Sequence, residues 1–220
     1  MTSVEVLIPY AGDDPHRAAA LAYVVAHLDA HGWPVKVCRT SGPWSKGKAV
    51  NGALRDSTAD VVVVHDADSF AAHEALTAAV DACQAWAVPH SQVRRLTPEA
   101  TADVIGGAEP AKSTPTAEPN RHAMDGGGIV IARREVWADV GGFDARFAGW
   151  GGEDQSLGLA LSALHGTPWR GTAILWHLWH PPAEHYRQGT RDNLRLLRRY
   201  QAARRRPDTL LRLIEEARHA

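Results

Sequence analysis

The amino-acid sequence predicts an α/β fold, in which helices cover the faces of one sheet. Short runs rich in β-branched residues alternate with longer segments of helical periodicity, which is typical of this class. Residues 61–64 are four consecutive valines, as expected of a strand buried on both faces. The 220 residues suffice for one domain with a full core, so we expect a single domain.

The first ninety residues alternate regularly between strands and helices. Strands are predicted at residues 4–9, 35–38 and 61–64, with a weaker one at 87–89. Helices are predicted at residues 15–31, 46–55 and 71–86. The first helix has a stripe of apolar residues for burial, formed by Ala19, Leu21, Val24, Val25 and Leu28.

The second half begins with an interruption. Residues 91–123 contain four prolines and little periodicity, and a loop of this length is usually functional or mobile. We predict a flexible lid or a loop beside a binding site, with a plain connector as the alternative. Regular structure is then predicted as strands at 126–132 and 172–176, helices at 134–140 and 154–165, and a helical tail at 183–203 and 207–219.

The charge balance does not favour a polyanionic partner over a small-molecule substrate. The chain has 24 basic and 25 acidic side chains, so no overall field favours nucleic acid or an acidic membrane. The arginine-rich tail forms a local basic face, which is either a solvated surface or a docking site for an anionic acceptor or a membrane surface. Its members are Arg187, Arg191, Arg195, Arg198, Arg199, Arg204, Arg205, Arg206 and Arg212.

Cysteine usage and hydropathy bear on location. Cys38 and Cys83 are too few for a disulfide scaffold and match no zinc spacing, so we expect a reducing, cytoplasmic setting. No window approaches the roughly 20 apolar residues of a membrane span. We therefore predict no membrane span.

Two carboxylates follow the valine strand. Asp66 and Asp68 stand at its carboxyl end, where open α/β sheets bind ligands. Alternate strand residues share a face, so both acids point the same way and the intervening Ala67 does not. A divalent ion can bridge a carboxylate and a diphosphate. We expect one acid to hold a metal and the other a ribose hydroxyl, with an ordinary surface turn as the alternative.

His177 and His180 are the next candidate metal ligands. Pro181 disfavours helical geometry at His180, so the pair is not a helical two-histidine site. On a regular strand the two rings face opposite ways, and both reach one ion only if the chain bends. We expect His180 to be a ligand and keep His177 as the second candidate. Packing among Trp176 and Trp179 is the alternative.

Residues 150–154 combine a tryptophan, two glycines and two acids. The glycines let the backbone approach a ligand closely, and the indole of Trp150 offers a flat face for a sugar ring. Glu153 and Asp154 stand at a predicted helix start, where they could simply cap the helix. A carboxylate beside a bound sugar could instead take a proton from an attacking hydroxyl.

These blocks resemble a known family. The segments 127–129, 140–144 and 150–154 resemble the C-terminal half of the β-1,4-galactosyltransferases and related nucleotide-sugar-dependent glycosyltransferases of the same GT-A fold. Pro9 and Tyr10 followed by His16 resemble the family's first nucleotide-contacting strand end. Residues 44–51 resemble its aromatic-x-basic-x-Lys-x-x-Asn segment, and residues 66–68 its metal motif. The blocks occur in the family's order from residue 4 to about 182.

The resemblance implies a fold, substrates and a cofactor. It implies a Rossmann-like mixed sheet flanked by helices over residues 1–182, with residues 183–220 as a basic helical extension packed on the same domain. The implied donor is a nucleotide-diphosphate sugar, with a UDP-sugar favoured, and the implied cofactor is Mn²⁺ or Mg²⁺. The acceptor stays open between a glycan, a protein, a small molecule and a modified nucleobase; nucleic acid is not favoured.

The resemblance also implies residue roles. The implied metal ligands are Asp68, His180 and His177. The implied donor-binding residues are Pro9, Tyr10, Arg17, Trp44, Lys48, Asn51, Asp66, Ala67 and Gly128. The implied acceptor-binding residues are Trp150, Gly151, Gly152 and Glu153. Within these sets Trp44 would stack on or flank the base, Lys48 would meet the nucleotide, and Asp66 the ribose. Asp154 would be the catalytic base.

Three departures from the family pattern stand out. Residues 11–14 lack the usual arginine, so recognition of the base rests on Arg17 or differs altogether. Gln155 stands where relatives often have a third acid. Residues 91–123 align with no family segment.

The implied mechanism is a single in-line displacement with inversion, in which Asp154 deprotonates the acceptor hydroxyl. One alternative is a nucleotidyltransferase, but residues 11–14 are not the glycine-rich, basic loop usual after its first strand. The other is a non-catalytic nucleotide-sugar-binding module. The joint presence of Asp68, His180 and the two acids at 153 and 154 argues against that alternative.

Overall fold

The computed structural model describes residues 2–12, 14–181 and 190–219. The strands are β1 (Val4–Pro9), β2 (Val35–Cys38), β3 (Val61–His65), β4 (Ser69–Phe70), β5 (Trp86–Arg95), β6 (Arg121–His122), β7 (Ile129–Arg133) and β8 (Trp169–His177). The helices are α1 (Pro15–Asp29), α2 (Lys46–Asp56), α3 (His73–Asp81), α4 (Pro98–Ile105), α5 (Arg134–Val140), α6 (Glu153–His165), α7 (Thr190–Ala203) and α8 (Pro207–Arg218).

The strands form one mixed sheet. Its order is β2-β1-β3-β7-β5-β8-β4, and β6 pairs with β5 outside this path. Strand β1 runs parallel to β2 and β3, β7 is antiparallel to β3 and β5, and β8 is parallel to β5. The carboxyl ends of β1, β3, β5 and β8 therefore meet at the same edge. This arrangement confirms the predicted α/β class with a mixed sheet and flanking helices.

Helices pack on both faces of the sheet. In β3, Val62 and Val64 belong to the core under α2, α5 and α6, whereas Val61 and Val63 belong to the core under α1 and α3. All four valines are almost fully buried. The sequence-based expectation for this strand is confirmed, because each face of β3 receives its own apolar layer.

Local capping sets two of the helix starts near the sheet edge. The Asp14 side chain accepts the backbone N–H of Arg17 at 3.0 Å and caps α1. The Ser45 hydroxyl accepts the backbone N–H of Lys48 at 3.5 Å and caps α2. Side-chain caps of this kind satisfy amide groups that lack partners within the helix.

The prediction of one long irregular segment at residues 91–123 is wrong. Strand β5 continues to Arg95 because it lies between β7 and β8 in the sheet. Pro98 stands in the first turn of α4, after a Thr97 cap, so this proline begins a helix inside the segment that was predicted to be irregular. Farther on, the buried Arg94 donates to the carbonyl oxygens of Lys112 and Thr114 at 2.6 and 3.4 Å.

The predicted helix at 71–86 is too long at both ends. It is shortened to α3, because Ser69–Phe70 pairs with β8 and Trp86 begins β5. The indole of Trp86 is buried and donates to the carbonyl oxygen of Gly166 at 2.9 Å. Trp86 therefore belongs to the sheet and not to a helix.

The described part of the C-terminal tail packs on the loop before α6. The Asn193 amide donates to the carbonyl oxygen of Ala148 at 3.1 Å, and the Tyr200 hydroxyl donates to Asp144 at 2.9 Å. Arg146 bridges Asp144 and Glu216 at 2.7 and 2.8 Å. The predicted boundary at 182/183, the predicted helix start at 183 and Arg187 lie outside the described residues, so the division into residues 1–182 and 183–220 stays a prediction. Within the described ranges, no helix is both long and apolar enough to traverse a bilayer.

Candidate active site

A cavity of about 600 Å³ opens where the carboxyl ends of β1, β3, β5 and β8 meet. Its lining includes the start of α2, the turn before α6 and part of the segment between α4 and β6. Open α/β sheets bind ligands at this edge. The charged and histidine side chains that line the cavity are Arg17, Lys46, Asp66, Asp68, Arg95, Glu118, Arg121, Glu153, Asp154, His177 and His180.

Asp68, His177 and His180 form a group that could hold a metal ion. Asp68 lies in the turn between β3 and β4, and the pairing of Ser69 with His177 brings this turn beside the end of β8. The Asp68 carboxylate lies 3.6 Å from His177 Nε2 and 3.1 Å from His180 Nε2. The chain bends after β8, where the backbone N–H of Leu178 donates to the Asp68 carbonyl oxygen at 2.7 Å. The bend allows both rings to face one carboxylate.

Backbone contacts fix the orientation of both rings. His177 Nδ1 lies 2.8 Å from the carbonyl oxygen of Leu178, and His180 Nδ1 lies 2.9 Å from that of Pro181. A carbonyl oxygen only accepts, so each Nδ1 carries the proton and each Nε2 is directed to the carboxylate side. Metal-binding histidines are commonly oriented by this kind of second contact.

Charges around Asp68 favour its ionised form, and burial disfavours a charge on His177. Burial opposes the Asp68 charge, but His177 and His180 in their protonated forms, together with Arg17, outweigh it and lower the pKa of Asp68. Burial lowers the pKa of His177, against the attraction of Asp68. A carboxylate facing the Nε2 lone pair of a neutral imidazole is an arrangement that a cation between them would stabilise.

A second charged group lies at the start of α2. The ammonium group of Lys46 donates to Asp66 at 2.7 Å and to Asp154 at 2.8 Å. The Lys46 side chain is only 7 % exposed. Burial opposes its charge, but Asp154 and Asp66 outweigh burial and raise the pKa of Lys46. The lysine is therefore a fixed cation shared by the two acids.

Asp154 has a raised proton affinity. Burial raises the pKa of Asp154 to about 7, with further increases from Asp66 and Glu153 and an opposing effect of Lys46. Asp154 lies in the first turn of α6. A carboxyl group with a pKa near neutrality can accept a proton from a hydroxyl under physiological conditions.

Aromatic rings line the wall beside these acids. Trp44 and Trp150 lie with ring centroids 5.8 Å apart, and the Arg17 guanidinium carbon lies 5.0 Å from the Trp150 centroid. The Glu153 carboxylate accepts the backbone N–H of Gly151 at 2.8 Å and is buried. The cavity thus offers flat apolar faces next to charged groups, as carbohydrate and nucleobase ligands require.

Comparisons with known proteins agree with this geometry. Residues 11–98 match the family described as glycosyl transferase family 2, and residues 113–168 match the N-terminal domain of galactosyltransferase. A comparison with curated proteins finds no match. The chain is a glycosyltransferase of the GT-A fold.

Solved structures share the fold of this glycosyltransferase. The catalytic domain of Drosophila β1,4-galactosyltransferase 7, in complex with xylobiose, is similar with 15 % identity and a TM-score of 0.51, over 86 % of this chain and 74 % of that one. GalNAc-T7, with UDP, GalNAc and Mn²⁺, is similar with 14 % identity and a TM-score of 0.56. That similarity covers 99 % of this chain and 55 % of the GalNAc-T7 chain.

Most residues singled out in the sequence line the cavity of the glycosyltransferase. Those brought together are Pro9, Tyr10, Arg17, Trp44, Asp66, Ala67, Asp68, Trp150, Gly151, Glu153, Asp154, His177 and His180. Lys48, Asn51, Gly128 and Gly152 are not among the lining residues. Of the departure segment 11–14, Asp13 lies outside the described residues.

Lys48 and Asn51 lie on α2 but do not reach the cavity. The Lys48 side chain is exposed, and Lys46 enters the cavity in its place. Two residues along a helix correspond to a rotation of about 200°, so the two lysines point in nearly opposite directions. The Asn51 amide donates to the carbonyl oxygen of Phe143 at 2.7 Å, and its oxygen accepts the Phe143 N–H at 3.0 Å. The expected donor contacts of Lys48 and Asn51 are therefore not supported.

The two glycines outside the lining act through the backbone. Gly128 has a φ of +76°, and a Cβ there would lie 2.4 Å from Leu175 Cδ2. Its carbonyl oxygen accepts the N–H of Asp66 at 2.9 Å, so Gly128 positions a lining residue. Gly152 has a φ of +100° at the start of α6, and a Cβ there would lie 2.6 Å from a carbon of the Phe147 ring. Close packing accounts for the absence of a side chain at both positions.

Sequence reasoning missed five polar or aromatic lining residues. These are Lys46, Arg95, Glu118, Arg121 and Trp179. The Ser45 cap was a usable signal for Lys46, because a serine before a helical pattern marks the first turn. Trp179 stands between the two histidines that the sequence did single out. The positions of Arg95, Glu118 and Arg121 depend on the pairing of β5 with β8 and on the path of the segment around residue 118, for which no local pattern exists.

Proposed function

We propose that this glycosyltransferase transfers a hexose from a UDP-sugar to an acceptor hydroxyl, with inversion at the anomeric carbon. The observation that carries the proposal is that one cavity combines the metal-ligating group at Asp68, His177 and His180 with a separate carboxylate, Asp154, whose pKa is about 7. A variant of the Drosophila enzyme is known in complex with manganese, UDP-Gal and xylobiose, which supports the choice of donor and cation.

The residues at the metal-ligating group fit a divalent cation. Two Nε2 atoms and one carboxylate converge, and the Nδ1 contacts hold both rings in place. Mg²⁺ prefers an all-oxygen shell, whereas imidazole ligands favour a transition-metal ion, so Mn²⁺ fits better than Mg²⁺. When bound, the cation would neutralise the negative charge of the leaving diphosphate.

The donor end of the cavity is formed by the strand ends and the start of α2. Trp44 would provide the flat face for the uracil base, and Asp66 would accept from ribose hydroxyl groups. The Arg17 guanidinium, 4.0 Å from the Asp68 carboxylate, lies where it could also contact the diphosphate. Pro9, Tyr10 and Ala67 complete this wall.

Asp154 is proposed as the base. Its pKa near 7 suits general-base chemistry at neutral pH, because the carboxylate is then populated and still basic enough to take a proton. Trp150, Gly151 and Glu153 adjoin it and would hold the acceptor. A displacement with inversion needs one base and no covalent intermediate on the protein, which matches these assignments.

Stereochemistry can be tested before the acceptor is known. The purified protein is incubated with Mn²⁺ and α-linked UDP-sugars, and slow transfer to water is followed by ¹H NMR at early times. We expect the β-anomer of the sugar to appear first, together with free UDP. Release of the α-anomer first would contradict inversion, and release of UDP that does not require Mn²⁺ would contradict the metal assignment.

Two variants test whether UDP release in that assay depends on the proposed base. Asp154→Asn is expected to lose UDP release, and Asp139→Asn serves as the matched control, because Asp139 is an exposed carboxylate on α5.

The acceptor class and a cytoplasmic location stay part of the proposal. The free and buried thiols of Cys38 and Cys83 are consistent with a reducing setting.

A further inference from the structure

The end of β5 places a cation directly against a metal-ligating atom. Arg95 is paired with His177 in the β5–β8 ladder, and its guanidinium donates to His177 Nε2 at 2.8 Å. His177 Nδ1 is already committed to the carbonyl oxygen of Leu178. The lone pair that Arg95 occupies is therefore the one that a metal ion would need.

One lone pair on Nε2 cannot serve both groups. Arg95 also places a positive charge beside the Asp68 group, which opposes the approach of a second cation. Binding of a divalent ion through His177 thus requires the guanidinium to leave. The Arg95 side chain is 41 % exposed, so it has room to turn.

An anionic side chain lies near Arg95, and a bound diphosphate would add a second anionic group. Its Nε lies 4.0 Å from the Glu118 carboxylate, which also pairs with Arg121 at 2.7 Å. A diphosphate bound in the same cavity would offer a stronger target, because a guanidinium forms two parallel hydrogen bonds with phosphate oxygens. Arrival of the nucleotide would therefore remove the competitor from His177.

We propose that Arg95 is a positioning residue that makes cation binding depend on the nucleotide diphosphate. Without nucleotide it occupies His177 Nε2 and weakens cation binding. With nucleotide it turns to the diphosphate, so cation and nucleotide bind with positive coupling. The inference rests on the proposed metal site and donor, and it assigns to Arg95 a role that the reaction itself does not require.

The test is isothermal titration calorimetry with Mn²⁺ alone, UDP alone, and each in the presence of the other. Arg95→Met removes the charge and keeps much of the aliphatic stem. We expect this variant to bind Mn²⁺ alone more tightly than the unmodified protein. We also expect the tightening of Mn²⁺ binding by UDP to shrink by about five-fold or more, a typical size for coupling between two ligands.

Controls distinguish the competing explanations. Arg55→Met removes an exposed cation in the last turn of α2, outside the cavity lining, and should leave the affinity for Mn²⁺ alone unchanged. Adding His177→Ala to Arg95→Met should abolish the gain, because the gain operates through His177 Nε2. Circular dichroism and thermal melting check that each variant is folded.

Unchanged or weaker binding of Mn²⁺ by folded Arg95→Met would overturn the inference and leave the proposed function intact. Failure of the unmodified protein to bind Mn²⁺ even with UDP, or retention of that binding in His180→Ala, would instead contradict the proposed metal site. Both results are read from the same titrations.

Discussion

Replacing Lys46 by methionine should destabilise the fold in a pH-dependent manner. Lys46 is 7 % exposed and makes ion pairs of 2.7 and 2.8 Å with Asp66 and Asp154. Its removal leaves two acids side by side in a partly buried site. Removing one partner of a buried ion pair costs about 3–5 kcal/mol, and the 29 % and 21 % exposure of the two acids reduces this to roughly 2–4 kcal/mol above neutral pH.

The sign of the pH dependence follows from Asp154. Its pKa in the folded protein is already raised to about 7, and the loss of Lys46 removes a cation that lowers it. The folded variant then binds a proton that the unfolded chain releases near its ordinary pKa of about 4. Stability of the variant is therefore highest below about pH 4 with respect to this group, and falls as pH rises through the raised pKa.

Urea denaturation at about pH 5.5 and about pH 8.5 measures this difference, because each shift of one pKa unit corresponds to about 1.4 kcal/mol. The loss of unfolding free energy should be larger at the higher pH by about 1 kcal/mol or more. Lys48→Met is the matched control on the same helix, and its exposed side chain should contribute less than about 0.5 kcal/mol. An equal loss at both pH values would refute the proposed electrostatic role and leave only a packing effect.

Four further predictions concern the active site. Asp154→Asn should lower turnover by roughly 10²- to 10⁴-fold with nearly unchanged UDP-sugar affinity, as measured by UDP release and calorimetry. In the unmodified enzyme, kcat/KM should rise with pH through about 7, because Asp154 becomes deprotonated there; a flat profile between about pH 5.5 and 8.5 would contradict its role as base. Asp68→Ala should abolish Mn²⁺-dependent UDP binding in titrations, since it removes the anionic ligand. Trp44→Ala should weaken UDP binding by about 1–3 kcal/mol if the ring stacks on the base, and unaltered affinity in the folded variant would make it a core residue.

The sequence predicted those parts of the site that depend on local order. Asp66 and Asp68 follow a strand whose burial pattern is evident from four valines, so their place at the sheet edge follows directly. Trp150 and Asp154 belong to one short block before a helix, and they reach the same cavity. In each case a few consecutive residues fix both the element and its end.

Residues whose position depends on tertiary pairing were not predictable in this way. Arg95 reaches His177 only because β5 and β8 pair in the observed register, and β5 itself was predicted to end six residues earlier. Glu118 reaches the cavity on a segment that Arg94 ties to β5 through backbone carbonyl oxygens. Lys46 was missed because Lys48 was predicted to face the nucleotide. The two lysines are two residues apart on α2, so their side chains point in nearly opposite directions.

The two cations nearest the proposed chemistry differ in how firmly they are held. Lys46 is buried and bound by two carboxylates, so its departure would leave both acids without a counter-ion. Arg95 is half exposed and its closest contact is a neutral imidazole, which is a weaker partner for a cation than a carboxylate. Under the proposal above, an arriving diphosphate would therefore draw Arg95 away from His177 and leave Lys46 in place. The Lys46–Asp154 ion pair then persists when substrates bind. Only the Arg95 guanidinium leaves the metal-ligating group, and the divalent cation that faces the diphosphate takes its place.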